Sequence, residues 1–349
     1  MGWFPKIKKI EVEEMQAVKK IKIGLIGAGR IGKFHAETIK ANLDFAEIKS
    51  VADIFADNIK DWASSLGIKK VYKDSNEILE DKEIDAVLIC SSTDTHSQLI
   101  IDSAKARKHI FCEKPIDFDL ERIHQALDAV EQEKVKLQIG FQRRFDPSFK
   151  RAHEIIRAGK IGEPHILKIT SRDPGPPPIK YIKVSGGIFL DMTIHDFDMA
   201  RFLIGSEVFT AGAVRVDLDI GKAGDIDTAV VTLKFANGTI GVIDNSRKAV
   251  YGYDQRVEVF GSKGCVAVNN DHLTNTVISN ENGIIGHNPK KFFMDRYKDA
   301  YIAEIKAFCD SILNDTEPSV TGKDGLEPVI IGLAAKKSLA EGKPIRIER

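Results

Sequence analysis

A glycine-rich turn constrains the fold of this chain more than any other feature. Gly27-Ala28-Gly29-Arg30-Ile31-Gly32 ends the apolar run IKIGLIG and opens a helix-like stretch over residues 30–41. A GxGxxG sequence alone says little, but between a strand and a helix it is the turn that receives a dinucleotide. Gly27 permits the tight turn, Gly29 lets the backbone approach a pyrophosphate, and Gly32 lets the helix pack on the strand. The helix start, at Arg30 and Ile31, then offers free N–H groups and a partial positive charge to the phosphates. Asp53 ends the next apolar run, EIKSVAD, roughly 20 residues after Gly32. A carboxylate there accepts hydrogen bonds from the adenosine ribose hydroxyls and repels a 2′-phosphate, and neighbouring Ile54 and Phe55 carry no offsetting cation. The expected cofactor is therefore NAD rather than NADP. A ligand-free glycine turn and a helix-capping aspartate are the plainer readings, and both would have to hold together.

The pattern around this turn is regular. Apolar runs IKIGLIG, EIKSVAD, DAVLIC, HIFC and KLQIG alternate with helix-like stretches at 30–41, 55–66, 95–106 and 120–133. Strand alternating with helix implies a parallel sheet with helices on both faces, and near-continuous apolar strands agree with burial on both sides. Residues 20–143 thus read as a doubly wound Rossmann domain. Beyond about residue 149 the pattern changes. A helix at 150–158 and the strand HILKITSRD lead into the proline-rich DPGPPPIKYIKVSGG and a short helix at 195–204. Successive strands over 208–280 follow, with turns at Ala236-Asn237-Gly238 and Gly261-Ser262-Lys263-Gly264, then helices near 295–313 and 326–341. Strands joined by short turns pair antiparallel. Residues 144–349 therefore read as an α+β domain with a large, mainly antiparallel open sheet, for substrate binding and oligomerisation, and residues 1–19 as an N-terminal extension.

Lysine plus arginine equals aspartate plus glutamate at 51 each, so the net charge of zero gives no general attraction for nucleic acid or an anionic membrane. No window approaches the uncharged apolar length of a membrane span. The four cysteines, Cys90, Cys112, Cys265 and Cys309, form no CxxC pair, and Cys90 and Cys112 end apolar runs as core residues do. A reducing compartment, the cytoplasm, is expected.

Four further segments carry a resemblance. They are Ser92-Thr93-Asp94-Thr95-His96, Cys112-Glu113-Lys114-Pro115, Gly140-Phe141-Gln142-Arg143-Arg144-Phe145-Asp146 and Asp191-Met192-Thr193-Ile194-His195-Asp196-Phe197-Asp198. Together they resemble the glucose–fructose oxidoreductase and inositol dehydrogenase family over roughly residues 20–345. GFxRRFD and DxxxHDxD occur together in its inositol-oxidising members, which Tyr251-Gly252-Tyr253-Asp254 also resembles, whereas Arg172-Asp173 stands where some of them carry Arg-Asn. The resemblance implies NAD-dependent oxidation of a ring hydroxyl to a ketone, with myo-inositol going to scyllo-inosose, and a homotetramer. Another inositol isomer or a pyranose sugar is the alternative substrate, and a non-catalytic dinucleotide sensor the alternative function.

Alcohol oxidation needs a hydride acceptor and a base, and imidazole titrates near neutral pH without large perturbation. His195 is the expected base, with a rate that rises with pH about a midpoint near 6.5–8. If the segment enters a helix, Asp191 lies on the same side four residues earlier and orients the imidazole or binds substrate. Lys114 stabilises negative charge on the reacting oxygen. The resemblance gives these three positions the same roles. An N-cap aspartate, a core histidine and a surface lysine are the plainer readings of them. Ser92, Thr93, His96, Glu113, Gln142 and Arg143 are expected cofactor contacts, alongside Gly27, Gly29, Arg30, Ile31, Gly32, Asp53 and Lys114. Gln142, Asp173, Asp198 and Tyr253 are expected substrate contacts, with the loop over 173–187 as a stiff wall. The arginines could equally pin the two domains together. A metal held by Asp191, His195, Asp196 and Asp198 is not expected, since Lys114 already supplies the electrophile.

Overall fold

The computed structural model of the chain describes residues 20–216, 221 and 224–348, so the extension read over residues 1–19 lies outside the described residues. The apolar runs become β1 (Ile21–Ile26), β2 (Ala46–Ala52), β4 (Ala86–Ile89), β5 (His109–Glu113) and β6 (Leu137–Gly140), joined by a short β3 (Lys70–Tyr72). All six are parallel, in the order β3-β2-β1-β4-β5-β6. β4 is buried at every residue because helices cover both faces. β3 was not among the runs read from sequence. It is a three-residue edge strand, KVY, with no fully buried side chain, too short to show a period. The expected helix over 55–66 divides into a turn at Ala56–Asn58 and a helix at Lys60–Ser65.

The strand order reverses between β1 and β4, and a crevice opens there at the carboxyl ends of the strands. Gly27, Asp53, Ser92, Lys114 and Gln142 each follow one of these ends, so one sheet edge gathers residues that the sequence scatters.

The second sheet contains β7 (Pro164–Arg172), β8 (Val208–Val216), β9 (Thr228–Phe235), β10 (Ile240–Ser246), β11 (Asp254–Gly261), β12 (Gly264–Val268) and, at the end of the chain, β15 (Ile345–Arg346). Its order is β12-β11-β7-β10-β9-β8-β15, antiparallel except where β7 meets β10. β13 (Val277–Asn280) and β14 (Gly283–Gly286) form a separate hairpin. In β9, Ala229, Val231, Leu233 and Phe235 are buried while Val230, Thr232 and Lys234 point out. Register places Val214 and Ile240 on the same outer face as Val230, and Phe260 on that face through Ile166. All four outward hydrophobics are exposed. Among the described residues no helix is long and apolar enough to cross a membrane.

Two helices from the end of the chain help to cover the first sheet. Helix Lys298–Leu313 sets Ile305, Phe308 and Cys309 against Ile23, Leu25, Val51 and Phe111 of the first sheet. Helix Gly322–Glu341 adds Leu326 and Val329 to the opposite face, with Ile110, Cys112 and Ile139. Glu304, on the first of these helices, is fully buried and neither of its carboxylate oxygens has a hydrogen-bond partner. Burial, reinforced by the Glu113 carboxylate, pushes its carboxyl well above the usual 4.5. The folded chain then keeps a proton that the unfolded chain loses, so stability falls as pH rises from about 4.5 toward the folded value. Thermal melts of the Glu304→Gln variant should lose part of the decline that the parent shows as pH rises above about 4.5. Parallel melting curves for the two proteins would mean that Glu304 is already ionised.

Candidate active site

The glycine turn is fixed by space. Gly27 has φ +90°, and a Cβ there would lie 2.5 Å from the Ser91 nitrogen. A Cβ on Gly32 would lie 2.0 Å from the Gly27 carbonyl oxygen. Gly29 faces open space instead, with nothing within 4 Å of an added Cβ. Helix Arg30–Asn42 starts with no side-chain cap, whereas Asp119 and Asp146 cap helices Leu120–Glu133 and Pro147–Arg157. Its first N–H groups are therefore left to an anion. The Asp53 carboxylate accepts from the Ala28 N–H at 2.7 Å and the Phe55 N–H at 2.8 Å, which aims it at the turn. Ile54 and Phe55 beside it are 77% and 63% exposed. This cradle fits NAD and opposes a 2′-phosphate. NAD should be used at least about tenfold more efficiently than NADP, and replacing Asp53 with Ser and Ile54 with Arg should narrow or reverse the ratio. Equal kcat/KM for both cofactors in the parent protein would remove Asp53 from that role.

Ser92 and Thr93 begin the helix Thr93–Lys105, also without a side-chain cap, at the same edge. His96 and Glu113 are not free to meet a cofactor with their side chains. His96 is buried, with Nδ1 2.8 Å from the Pro115 carbonyl oxygen and Nε2 3.1 Å from that of Ser91, so it ties the loop after β5 to the loop after β4. The Glu113 carboxylate turns inward to His35 at 2.8 Å, beneath the glycine turn.

Lys114 crosses from the first sheet to the second domain. Its ammonium donates to the Asp191 carbonyl oxygen at 2.9 Å and lies 3.7 Å from the Asp191 carboxylate. Asp191 and His195 do not share one helix. Helix Ile188–Asp191 ends, and Ile194–Ile204 begins after a break in which the Thr193 hydroxyl donates to Asn245 Oδ1 at 2.7 Å. Asp191 makes no hydrogen bond to the imidazole. Its Oδ1 accepts from the Tyr181 hydroxyl at 2.8 Å, and its Oδ2 from both terminal nitrogens of Arg247 at 3.3 Å. His195 is held by the edge of Phe141, ring centres 5.8 Å apart. Its Nδ1 is enclosed without a partner. Burial, with the charges of Lys114 and Arg143, pushes its pKa well below 6.5. The imidazole is neutral near pH 7 and ready to take a proton, and its midpoint lies below the 6.5–8 window expected from an ordinary imidazole.

The two arginines after β6 are both held in ion pairs. Arg143 is buried, paired with Asp196 at 2.6 Å, and its other nitrogen is 3.4 Å from the Tyr253 hydroxyl. Arg144 grips Asp198 through Nε at 3.0 and 2.9 Å and through Nη2 at 2.6 Å, and reaches Asp324 at 2.9 Å. Asp198 is fully buried in that pair, so it offers a substrate no surface. Tyr253 is also buried, edge-on to Tyr297. Gln142 is buried on the turn Gln142–Phe145 between β6 and this cluster. Asp173 follows β7, and burial, countered by Arg247 and reinforced by Asp191, pushes its carboxyl up to about 6. Asp191, Asp196 and Asp198 are thus taken by three different arginines rather than gathered around a shared point. Sequence reasoning missed Arg247 and Tyr181. Tyr181 had a signal, as an aromatic within a proline-stiffened loop. Arg247 had none.

The assembled groups suit alcohol oxidation. A neutral imidazole accepts the hydroxyl proton, an ammonium favours the developing alkoxide, and a carboxylate accepts from a second hydroxyl. Bound NAD would supply the hydride acceptor.

Comparison with known proteins agrees. Residues 21–141 match the NAD-binding Rossmann fold of the GFO/IDH/MocA oxidoreductases, and residues 149–267 match the C-terminal domain of the same group. The myo-inositol 2-dehydrogenase of Thermotoga maritima is 51% identical over 331 residues, covering 94% of this chain and 99% of that protein. The inositol 2-dehydrogenase of Rhizobium meliloti is 48% identical over 330 residues, with 94% and 99% covered. The crystal structure of scyllo-inositol dehydrogenase from Lactobacillus casei, with bound NAD(H) and scyllo-inositol, superposes with a TM-score of 0.89 at 31% identity, covering 94% of this chain and 99% of that one. With both parts of one architecture matched and relatives near half identity over almost the whole chain, this protein belongs to the GFO/IDH/MocA family of NAD-dependent oxidoreductases.

Proposed function

We propose that the chain oxidises one secondary hydroxyl of myo-inositol to the ketone scyllo-inosose, with residues 20–143 holding NAD and residues 144–349 holding the polyol. The observation that carries this reading is the meeting of Lys114, from the first sheet, with Asp191, from the second domain, beside the neutral imidazole of His195. In this reading His195 Nε2 takes the hydroxyl proton, Lys114 holds the oxygen as it gains negative charge, and Asp191 accepts a hydrogen bond from a neighbouring hydroxyl. Asp173 and Gln142 bind further hydroxyls, for which a polyol needs convergent polar groups. Two relatives near 50% identity act, by name, on myo-inositol or inositol, and this supports the myo isomer. The fold shared with a scyllo-inositol enzyme favours that isomer as the second reading. NADH formation with a panel of inositol isomers and pyranoses separates the two. Activity on pyranoses alone, or on nothing in the panel, would overturn both.

The exposed outer face of the second sheet, with Val214, Val230, Ile240 and Phe260, supports a face-to-face contact within a homotetramer. A monomer mass by light scattering at micromolar concentration would refute it. Four unpaired cysteines, three of them buried, suit the reducing cytoplasm.

A further inference from the structure

Arg247 directly follows β10 and is one of the largest fully buried side chains. Its guanidinium donates to Asp191 Oδ2 from both terminal nitrogens at 3.3 Å, and one of them lies 3.1 Å from Asp225 Oδ2. Asp225 is itself buried, and its other oxygen accepts from the Ile188 N–H at 2.9 Å, at the first residue of the helix that ends in Asp191. One cation thus secures the Asp191 carboxylate directly and, through Asp225, the start of the helix that carries it. The Arg247 backbone N–H, donating to the Asp227 carbonyl oxygen at 2.8 Å, fixes the arginine in turn.

We propose that Arg247 is a positioning residue for the oxidation: with Asp225 it clamps the Asp191 carboxylate in the direction of Lys114 and the substrate. The proposal rests on the reading that Asp191 binds the substrate. Without that cation the Asp191 carboxylate loses the partner that fixes its direction, and its hydrogen bond to a substrate hydroxyl is no longer held in place. The charged and titratable groups that face Arg247 are Asp191, Asp225, Asp173 and Tyr181. Those that face Asp191 are Lys114, Tyr181, Arg247 and Asp173. Three carboxylates therefore face Arg247, and of these only Asp191 also meets Lys114.

The test uses the full-length protein with whichever polyol the parent oxidises best. Arg247→Met should lower kcat/KM about 30-fold or more, mostly through KM for the polyol, with NAD affinity retained. Arg247→Lys restores a cation, so the polyol KM should recover in part. Asp225→Asn keeps an oxygen for the Ile188 N–H but frees Arg247 for Asp191, so its polyol KM should stay at or below the parent's. A raised polyol KM in Arg247→Met beside an unraised one in Asp225→Asn is the signature, since a merely structural role would raise both. A parent-like Arg247→Met, or equal losses in the Met and Lys variants, would overturn the proposal. If the Met variant does not fold, a polyol KM raised several-fold in Asp225→Asn overturns it. A parent inactive on every polyol counts against the proposed function instead, which keeps the two failures apart.

Discussion

Replacing His195 with Ala should lower kcat by about 100-fold or more while leaving NAD affinity nearly unchanged. The loss amounts to about 2.7 kcal/mol of transition-state stabilisation. It follows from geometry. The cofactor cradle lies on residues 27–32 and Asp53, whereas His195 projects from the helix Ile194–Ile204 of the other domain. The pH profile makes the prediction specific. Burial and the Lys114 and Arg143 charges disfavour the imidazolium, so the parent's rising limb should lie below pH 6.5. That limb should vanish in His195→Ala. Asp173, pushed up to about 6, is the rival source of a limb in this range, and Asp173→Asn should leave the limb in place. Near-normal kcat in His195→Ala, or survival of the limb, would show that another group takes the proton.

Lys114→Met should cost kcat about 100-fold to 1,000-fold, the range seen when a donor to a developing oxyanion is removed. It should also shift the His195 limb. The Lys114 charge helps to hold the imidazole neutral, so its removal lets His195 keep its proton to higher pH, and the rising limb moves up. Lys114→Arg should retain the limb but recover only part of kcat, because a planar guanidinium does not replace a compact ammonium that reaches the Asp191 carbonyl at 2.9 Å. A Lys114→Met enzyme with an unmoved limb would place the ammonium too far from the imidazole to act on it.

The parts of this site that were legible in the sequence are those whose chemistry is local. The glycine turn declares itself because steric exclusion acts within one strand–turn–helix unit, and Asp53 because it ends the next strand. Lys114, Asp191 and His195 could be named, yet their connections could not. The expectation that Asp191 and His195 share a helix face failed at Met192 and Thr193, where Thr193 bonds to Asn245, 52 residues away. The expectation that Asp198 meets a substrate could not foresee its pair with Arg144, 54 residues earlier, because a side chain's commitment to a distant ion pair leaves no trace in local pattern. Arg247 stayed hidden for the same reason, since it follows β10 with the acidic partners it neutralises lying elsewhere in the sequence. His96 lies in the first turn of the helix after β4 and Glu113 at the end of β5, but position along an element does not say which way a side chain turns.

The late cover of the first sheet has a consequence for how the protein must be made. Synthesis delivers the six strands of the first sheet early, but Ile305, Phe308 and Cys309 on one face and Leu326 and Val329 on the other arrive only with the last part of the chain. Until then the growing polypeptide carries Ile23, Leu25 and Phe111 without their final cover, and transiently exposed apolar surface is what aggregates or recruits chaperones. A fragment ending at residue 143 would hold every glycine of the nucleotide turn and still lack the helices that seal its interior. The nucleotide-binding half is thus contiguous as a motif but not as a folding unit, and a nascent chain acquires it only when the ribosome has nearly finished.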